Sequence, residues 1–290
     1  MLLASQVQLY KKPTDYIPRI AAVHDLCGYG KCSLGVAIPV LSAAGCDVCP
    51  VPTSLFSAHT AYEVFYMHDT TSMLSDYLDA WKQENVDLDG VYSGFLGSAE
   101  QVSIIQRLYR EYPEALRFVD PVMGDAGKIY PTYTDELCCA MRELVDGADL
   151  LTPNMTEAAF LASMDYPGSN PSKEAIDKIM DSLIGLGAHN VLLKGIVKGD
   201  GKIRNYLAGK DFDLVEVSSE LLPFMLHGTG DLFASCCIAA IMNERDLQTA
   251  AQFASDTVRH AMQKTLKQPN YQQRGVSFET TLGELTALMC

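Results

Sequence analysis

The amino-acid sequence predicts an α/β fold in which a mainly parallel central sheet lies between two layers of helices. Short runs rich in β-branched residues alternate with longer segments whose apolar residues recur at helical spacing. This alternation is typical of strands joined by crossover helices. The chain has 290 residues, 48% of them hydrophobic, which is enough for one large core. We therefore expect a single domain over residues 19–290, preceded by an N-terminal extension at 1–18.

The individual elements follow from the same alternation. Each predicted strand is a short apolar run, and each predicted helix is a longer segment with one apolar face. The predicted strands are 19–24, 47–52, 89–93, 116–120, 149–152 and 190–194, with a late pair near 202–208 and 213–218. The predicted helices are 33–44, 71–85, 99–111, 133–146, 155–163, 172–186, 230–242, 247–266 and 279–288.

Charge and cysteine content narrow the class of partner. The formal net charge of −14 disfavours nonspecific binding to nucleic acid or to an anionic membrane. Nine scattered cysteines, an odd number, suit a reducing compartment, so we expect a cytoplasmic protein. Cys46 and Cys49 fall in a predicted strand without a second pair at zinc spacing, which favours core packing. No apolar stretch approaches the length of about 18 residues that a membrane span needs.

Unusual residues cluster where predicted strands end. In doubly wound sheets, ligands bind beyond the carboxyl ends of the strands. Four clusters fall there and a fifth precedes an apolar helix: 24–31, 120–128, 152–157, 194–195 and 227–231. The first contains glycines, but it lacks the first glycine and the final Ser or Thr of a P-loop, and also the third glycine of a dinucleotide site.

The segment HGTGD at 227–231 resembles an anion-binding helix start. Gly228 and Gly230 permit unusual backbone conformations, Thr229 is able to cap the helix, and the first amides of the helix lack intrahelical partners. Such amides would stabilise charge on a transferring phosphoryl group. Asp231 has a simpler alternative reading, since acids are common in the first turn of a helix.

Asp120 and Asp125 belong to the segment DPVMGD at 120–125. Asp120 ends a buried strand and Pro121 prevents helix continuation, so its carboxylate is a candidate ligand for a divalent cation. A turn-forming role is equally compatible with Asp120. Asp125, with Ala126 and Gly127, indicates a turn whose carboxylate makes local hydrogen bonds.

The segment TPNMTE at 152–157 has two readings. Asn154 and Glu157 are spaced to form a capping box, whereas Thr152, Asn154 and Glu157 together are oxygen ligands suited to Mg²⁺ and its waters. Lys194 ends an apolar strand, where a lone ammonium is costly without a negative partner. A triphosphate is a suitable partner for it.

The ordered set of motifs resembles the pyridoxal kinase branch of the ribokinase superfamily. The match spans about residues 19–266. The segments that carry it are the glycine-containing first loop, SLFSAHTAY (54–62), YSGFLG (92–97), DPVMGD (120–125), TPNMTE (152–157), VLLKG (191–195) and HGTGD (227–231). The resemblance implies a ribokinase-like three-layer αβα sandwich and Mg²⁺- and ATP-dependent phosphorylation of the hydroxymethyl group of a vitamin B6 vitamer. It also implies a homodimer.

The resemblance also implies roles for individual residues. Asp231 would be the catalytic base, and Gly228, Thr229 and Gly230 would form the anion hole. The vitamer would contact Asp25, Thr60, Phe95 and His227. The nucleotide and its metal would lie near Asp120, Asp125, Tyr130, Thr152, Asn154, Glu157, Lys194 and Gly195, with Asp120 and Glu157 organising Mg²⁺. Lys194 stands where some pyridoxal kinases have a threonine that helps to hold a monovalent cation, and our hypothesis is that its ammonium replaces that ion.

Departures from the family pattern leave alternatives open. His24 and Asp25 stand where the family usually offers serine and histidine. His227 resembles the hydroxymethylpyrimidine kinases of thiamine synthesis, although those enzymes usually carry cysteine at the position of Asp231. The alternatives are therefore a hydroxymethylpyrimidine (phosphate) kinase, another small-alcohol kinase, or a noncatalytic vitamer- or nucleotide-binding protein on the same fold.

Overall fold

The protein is built around one large twisted sheet. A computed structural model describes residues 2–269 and 271–289. Its strands are β1 (Arg19–Cys27), β2 (Asp47–Phe56), β3 (Met67–Asp69), β4 (Gly90–Ser93), β5 (Leu116–Val119), β6 (Gly124–Asp125), β7 (Lys128–Ile129), β8 (Leu150–Leu151), β9 (Asn190–Val197), β10 (Lys202–Gly209) and β11 (Phe212–Glu220). Within the described residues the main sheet has nine strands in the order β11-β10-β9-β8-β5-β4-β1-β2-β3.

The centre of this sheet is parallel and its edges are antiparallel. β1 pairs in parallel with β2 and β4, and the parallel run continues through β5 and β8 to β9. β10 and β11 add antiparallel strands at one edge, and β3 adds one at the other. The sequence prediction of a mainly parallel sheet is confirmed. Short β3 and the separate β6–β7 hairpin were not predicted.

Helices cover both faces of the sheet. They are α1 (Leu34–Ala43), α2 (Thr71–Gln83), α3 (Ala99–Glu111), α4 (Asp135–Met141), α5 (Met155–Leu161), α6 (Lys173–Gly185), α7 (Thr229–Met242), α8 (Leu247–Thr265), α9 (Tyr271–Arg274) and α10 (Leu282–Thr286). One core lies beneath α2 to α6, and a second lies beneath α1, α7, α8 and α10. The predicted three-layer αβα sandwich is therefore confirmed.

Two predicted helices are shorter than expected. The segment 133–146 begins its helix only after the Thr134 cap and passes into a 3₁₀ turn at Arg142–Leu144. The segment 279–288 is divided between α10 and two 3₁₀ turns. In the first of these turns, the hydroxyls of Thr280 and Thr281 donate to carbonyls three residues earlier, which competes with regular helix bonding.

The N-terminal segment packs on the same face as α7 and α8. Ala4 is buried in that core, and the backbone N–H of Leu247 donates to the carbonyl of Val7. The Tyr10 hydroxyl donates to Asp89 just before β4. Across the described part of the chain, no helix combines the length and apolar character needed to cross a bilayer.

The sheet register places the carboxyl ends of its central strands side by side. Val23 of β1 pairs with Ser93 of β4, which pairs with Val119 of β5, and Val119 pairs in turn with Leu151 of β8. The residues that follow these positions therefore project from one edge. The strand order also changes direction beside β1, since β2 and β4 lie on opposite sides of it and both run parallel to it.

Candidate active site

The site is organised around the first turn of α7. Gly228 is the N-cap and adopts φ +78°, a left-handed conformation. A Cβ at this position would lie 2.1 Å from the backbone oxygen of Lys31. Both the conformation and the contact require glycine. Gly228 therefore fixes the start of α7 against the loop that follows β1.

The start of α7 presents backbone donors that have no partner among the residues described. The first i to i−4 bond of the helix runs from the N–H of Leu232 to the carbonyl of Gly228, so the amides of Thr229, Gly230 and Asp231 precede the helical ladder. The sequence interpretation of Thr229 as a cap is wrong, because Gly228 occupies the N-cap position. The Thr229 hydroxyl instead donates to the carbonyl of Leu226 at 3.1 Å.

Asp231 is the acid of this turn, and its carboxylate points toward the neighbouring strand ends. The backbone N–H of Ser33, the N-cap residue of α1, lies close enough to this carboxylate to lower its pKa. Burial, with the nearby charges of Asp120 and Asp25, raises the pKa of Asp231 to about 7, against the opposing effect of Lys194. A carboxylate with such a pKa can accept a proton near neutral pH.

Lys194 supplies the positive charge of the site. Its ammonium lies 2.5 Å from Oδ1 of Asp120, with both side chains largely buried. A Cβ built on Gly230 would lie 3.7 Å from the Lys194 nitrogen, so the ammonium sits beside the first turn of α7. Burial lowers the pKa of Lys194, but the carboxylates of Asp120 and Glu157 raise it overall, above its ordinary value.

Gly195 follows Lys194 and turns the strand. Its φ is +81°, and its N–H donates to the side-chain oxygen of Asn205 in β10 at 2.9 Å. The amide of Gly195 is therefore used within the sheet. A parallel bridge between Asn154 and Lys194 ties this part of β9 to the start of α5.

Glu157 and Asn154 form the predicted capping box of α5. The Asn154 side chain accepts from the N–H of Glu157 at 3.0 Å, and Glu157 accepts from the N–H of Asn154 at 2.7 Å. The second Glu157 oxygen accepts from the Met123 N–H at 3.4 Å. Burial raises the pKa of Glu157 to about 8 although Lys194 opposes the shift. The carboxylate is thus held in place by backbone donors.

Two oxygen atoms remain available beside this box. Oδ2 of Asp120 and Oγ1 of Thr152 are buried without a well-formed hydrogen bond to any described residue, and the Thr152 hydroxyl lies close enough to Asp120 to lower the pKa of its carboxyl. Buried polar atoms are normally paired, so such atoms indicate a missing partner. Hard oxygens of this kind are the ligands that Mg²⁺ and its waters prefer. The donor set fits a hydrated magnesium ion between the Asp120–Lys194 pair and Glu157.

A small hairpin lies over the acidic cluster. β6 and β7 are joined by Ala126 and Gly127, both with positive φ. The Asp125 carboxylate accepts from the N–H of Ala126 at 2.8 Å, which confirms the local turn role read from the sequence. Burial, followed by the carboxylates of Glu157 and Asp125, raises the pKa of Tyr130, so the Tyr130 phenol lies close to the cluster.

Asp25 lies behind the glycine-containing loop. Its carboxylate accepts a hydrogen bond from the Ser33 hydroxyl at 2.5 Å and one from the Cys27 thiol at 3.3 Å. Burial raises the pKa of Asp25. Ser33 thus joins two acids, since its hydroxyl contacts Asp25 and its amide contacts Asp231.

The other expected substrate residues are spread around the mouth of the site. His227 is exposed and stacks on the buried His59, with ring centroids 4.7 Å apart. Thr60 is exposed on the same loop as His59. Phe95 is buried between the rings of Phe56 and Tyr133. Its contact with a substrate remains a prediction.

The structure brings together Asp231, Lys194, Asp120 and Glu157, which the sequence analysis proposed from separate motifs. It adds Ser33 and His59, which the sequence analysis did not assign to the site. The signal for Ser33 was its position at a predicted helix start after a flexible loop. The signal for His59 was its place in the FSAHTAY segment.

This sandwich, in which the first turn of α7 lies beside buried acids and a lysine at the strand ends, is that of a small-molecule kinase of the ribokinase superfamily. The phosphomethylpyrimidine kinase family model matches residues 38–275. The chain belongs to that family.

Individual relatives agree with this placement. The pyridoxal kinase PdxY of Deinococcus radiodurans is 30% identical over 77% of this chain and 78% of its own length. A Bacteroides thetaiotaomicron protein described as a phosphomethylpyrimidine kinase, crystallised with pyridoxal, matches with a TM-score of 0.88 and 32% identity over 93% of this chain and 96% of its own. Pyridoxal kinase from Lactobacillus plantarum matches with a TM-score of 0.87 and 27% identity over 94% and 98% of the two chains. The predicted resemblance is confirmed.

Proposed function

We propose that the protein transfers the γ-phosphoryl group of ATP to the hydroxymethyl group of a vitamin B6 vitamer, pyridoxal, pyridoxine or pyridoxamine, giving the 5′-phosphate. The observation that carries the proposal is the position of Asp231, with its raised pKa, beside the unpaired amides of α7 and the Lys194 ammonium. The pyridoxal kinases among its relatives and the pyridoxal-containing neighbour support the choice of acceptor.

Asp231 is the general base of the proposed reaction. Its carboxylate accepts the proton of the substrate hydroxyl as the oxygen attacks the γ-phosphorus and the bond to the bridging oxygen of ADP breaks. The Ser33 amide orients the carboxylate. Positioning of the hydroxyl in line with the phosphorus supplies a large part of the rate.

Developing charge on the transferring group is met by fixed donors. The amides of Gly228, Thr229 and Gly230 at the start of α7 act as the anion hole, and the helix dipole adds modestly. Lys194 is held by Asp120 and places its ammonium beside Gly230, in the same first turn of α7. In this arrangement the ammonium takes the position that our hypothesis assigns to a monovalent cation.

Asp120, Thr152 and Glu157 would hold the magnesium ion, directly or through water. When bound, Mg²⁺ neutralises phosphate charge during transfer. Asn154 contributes through the capping box that fixes Glu157. Asp125, Tyr130 and Gly195 border the nucleotide, and the β6–β7 hairpin excludes water from the phosphates.

The vitamer would bind beside Asp25, Thr60, Phe95 and His227. The proposed donor, ATP, approaches from the side of β8 and β9. We further propose that the protein is a cytoplasmic homodimer. Free thiols at the described cysteines suit a reducing compartment.

A comparison of two variants tests the reaction. Wild type, Asp231→Ala and the matched surface control Asp213→Ala are assayed with MgATP and pyridoxal, pyridoxine, pyridoxamine or hydroxymethylpyrimidine, with the phosphorylated product identified by mass. We expect vitamer turnover in wild type and control, and a loss of about 10³-fold or more in Asp231→Ala.

Other outcomes select the alternatives. A clear preference for hydroxymethylpyrimidine would assign the protein to the pyrimidine kinases. The match to the phosphomethylpyrimidine kinase family supports this alternative. Tight vitamer binding without turnover in wild type would indicate a noncatalytic binding protein.

A further inference from the structure

Three metal-binding side chains lie together behind the glycine-containing loop. A carboxylate oxygen of Asp25 and the sulfurs of Cys27 and Cys32 all lie within 4.8 Å of one another. The Cys27 thiol already donates to Asp25, and the Cys32 thiol lies beside both groups. Neither sulfur has a place in the proposed phosphoryl transfer.

The chemistry of this donor set is specific. Two thiols and one carboxylate suit Zn²⁺ and similar soft cations, whereas Mg²⁺ prefers oxygen ligands alone. Tetrahedral zinc at ordinary bond lengths holds two sulfurs about 3.8 Å apart. The present separations therefore require a movement of about 1 Å or less at the side chains. Gly28 and Gly30 lie in the loop that connects Cys27 to Cys32, and they permit this movement.

Burial is compatible with entry of an ion. Asp25 and Cys27 are buried, but Cys32 is only partly covered, at the end of the loop before α1. The Ser33 hydroxyl is already bonded to Asp25, so the local structure holds the carboxylate toward the sulfurs. Three protein ligands leave the fourth zinc position for water.

We propose that Asp25, Cys27 and Cys32 form an inhibitory binding site for Zn²⁺, separate from the magnesium-binding oxygens. Binding forms two zinc–sulfur bonds, and the two thiol protons are released to the solvent. The interaction with Cys27, followed by burial and the charge of Asp25, raises the pKa of Cys32, so proton release is costly and affinity increases with pH.

A direct binding experiment tests the site without reference to catalysis. The full chain is titrated with Cd²⁺, whose bonds to thiolates give an ultraviolet charge-transfer band, and Zn²⁺ is then added in competition. We expect one equivalent of strong binding in wild type. Cys27→Ser and Cys32→Ser should each weaken it by about 100-fold, whereas Cys138→Ser, on α4, should leave it unchanged.

Alkylation of the unaltered protein provides a measurement that does not depend on the folding of a variant. We expect one equivalent of Zn²⁺ to protect Cys27 and Cys32 from iodoacetamide, as mapped by mass spectrometry. Equal labelling of both with and without zinc would overturn the proposal. So would protection confined to Cys138 and Cys139, or a cadmium band that persists in both single variants.

Inhibition is the functional consequence, and this part rests on the proposed function. A zinc ion occupies the Asp25 carboxylate, which the vitamer would otherwise contact, and adds positive charge near Asp231. We expect Zn²⁺ to raise the KM for the vitamer while saturating MgATP is present, with the effect lost in Cys32→Ser. Zinc binding without any vitamer kinase activity would refute the proposed function and retain the metal site.

Discussion

The ammonium of Lys194 is paired with the carboxylate of Asp120 and lies against the first turn of α7 at Gly230. One cation therefore contacts both the acid that would organise magnesium and the helix start that would receive the phosphoryl group. This contact joins β5, β9 and α7, which lie far apart in the sequence.

Replacement of Lys194 by methionine tests this link. Lys194→Met should lower kcat/KM by about 100-fold or more, because a fixed donor at the developing charge is lost. It should also lower the free energy of unfolding by about 3 kcal/mol, because Asp120 is left buried without its partner. The surface variant Lys178→Met is the matched control. The double variant with Asp120→Asn should regain stability without regaining activity, and recovery of both would contradict the assignment.

The wild-type enzyme should not require a particular monovalent cation. Lys194 already places a positive charge beside Asp120 and Glu157, so potassium, sodium and tetramethylammonium chlorides at equal ionic strength should support similar rates. Initial rates with dialysed protein measure this dependence. A strict requirement for potassium would show that the ammonium does not replace the ion.

The rate should fall on the acidic side of neutrality. Asp231 must be ionised to accept a proton, and its pKa is raised to about 7. We expect log kcat/KM to rise by about one per pH unit below that value and to level off above it. Because vitamers also titrate, the profile is measured with pyridoxal and pyridoxine. A limb that shifts with the substrate, or lies near pH 4, would exclude Asp231 as its source.

Asp231→Asn should stabilise the fold while it abolishes activity. The pKa of Asp231 is higher in the folded protein than the ordinary carboxyl value of 3.8, so the folded state binds the proton more tightly. Ionisation consequently costs stability, beginning above about pH 4 and complete above about pH 7. Urea denaturation should show the variant more stable by about 1–3 kcal/mol at pH 8. The difference in the free energy of unfolding should be smaller at pH 5. A difference independent of pH would contradict the conclusion that ionisation of Asp231 destabilises the fold.

Alanine at Gly228 should damage both stability and catalysis. The new Cβ would meet the Lys31 carbonyl at 2.1 Å in a left-handed backbone, so α7 has to move. We expect a loss of about 2 kcal/mol or more in the free energy of unfolding, and a larger effect on kcat than on the KM for ATP. Gly283→Ala, where no atom lies within 4 Å of the added Cβ, is the control and should be close to neutral. Equal effects of the two substitutions would argue against a special role for Gly228.

The sequence predicted the central sheet and α7 because both rest on simple patterns. Buried parallel strands are short apolar runs, and residues 232–242 of α7 are buried on every side. The short β6–β7 hairpin has no such pattern, since its strands are only two residues each. Side-chain periodicity does not reveal elements of that length.

Within the site, side-chain candidates were predictable and backbone partners were not. Lys194 was recognisable because a cation at the end of an apolar strand needs a negative partner. The protein partner turned out to be Asp120, where the sequence had suggested a triphosphate. Ser33 contributes an amide to Asp231, and amides carry no residue-specific signal. The stacking of His59 on His227 joins positions distant in sequence and requires the folded chain.

Val276 stabilises the segment that leads into α7. The N–H of Val276 donates to the carbonyl of His227 at 3.0 Å, directly before Gly228. A nascent polypeptide in which Val276 has not yet emerged from the ribosome lacks this hydrogen bond. The segment that leads into α7, the helix that carries Asp231, is then not held in place by it. Competence for phosphoryl transfer should therefore appear only after Val276 has joined the folded chain.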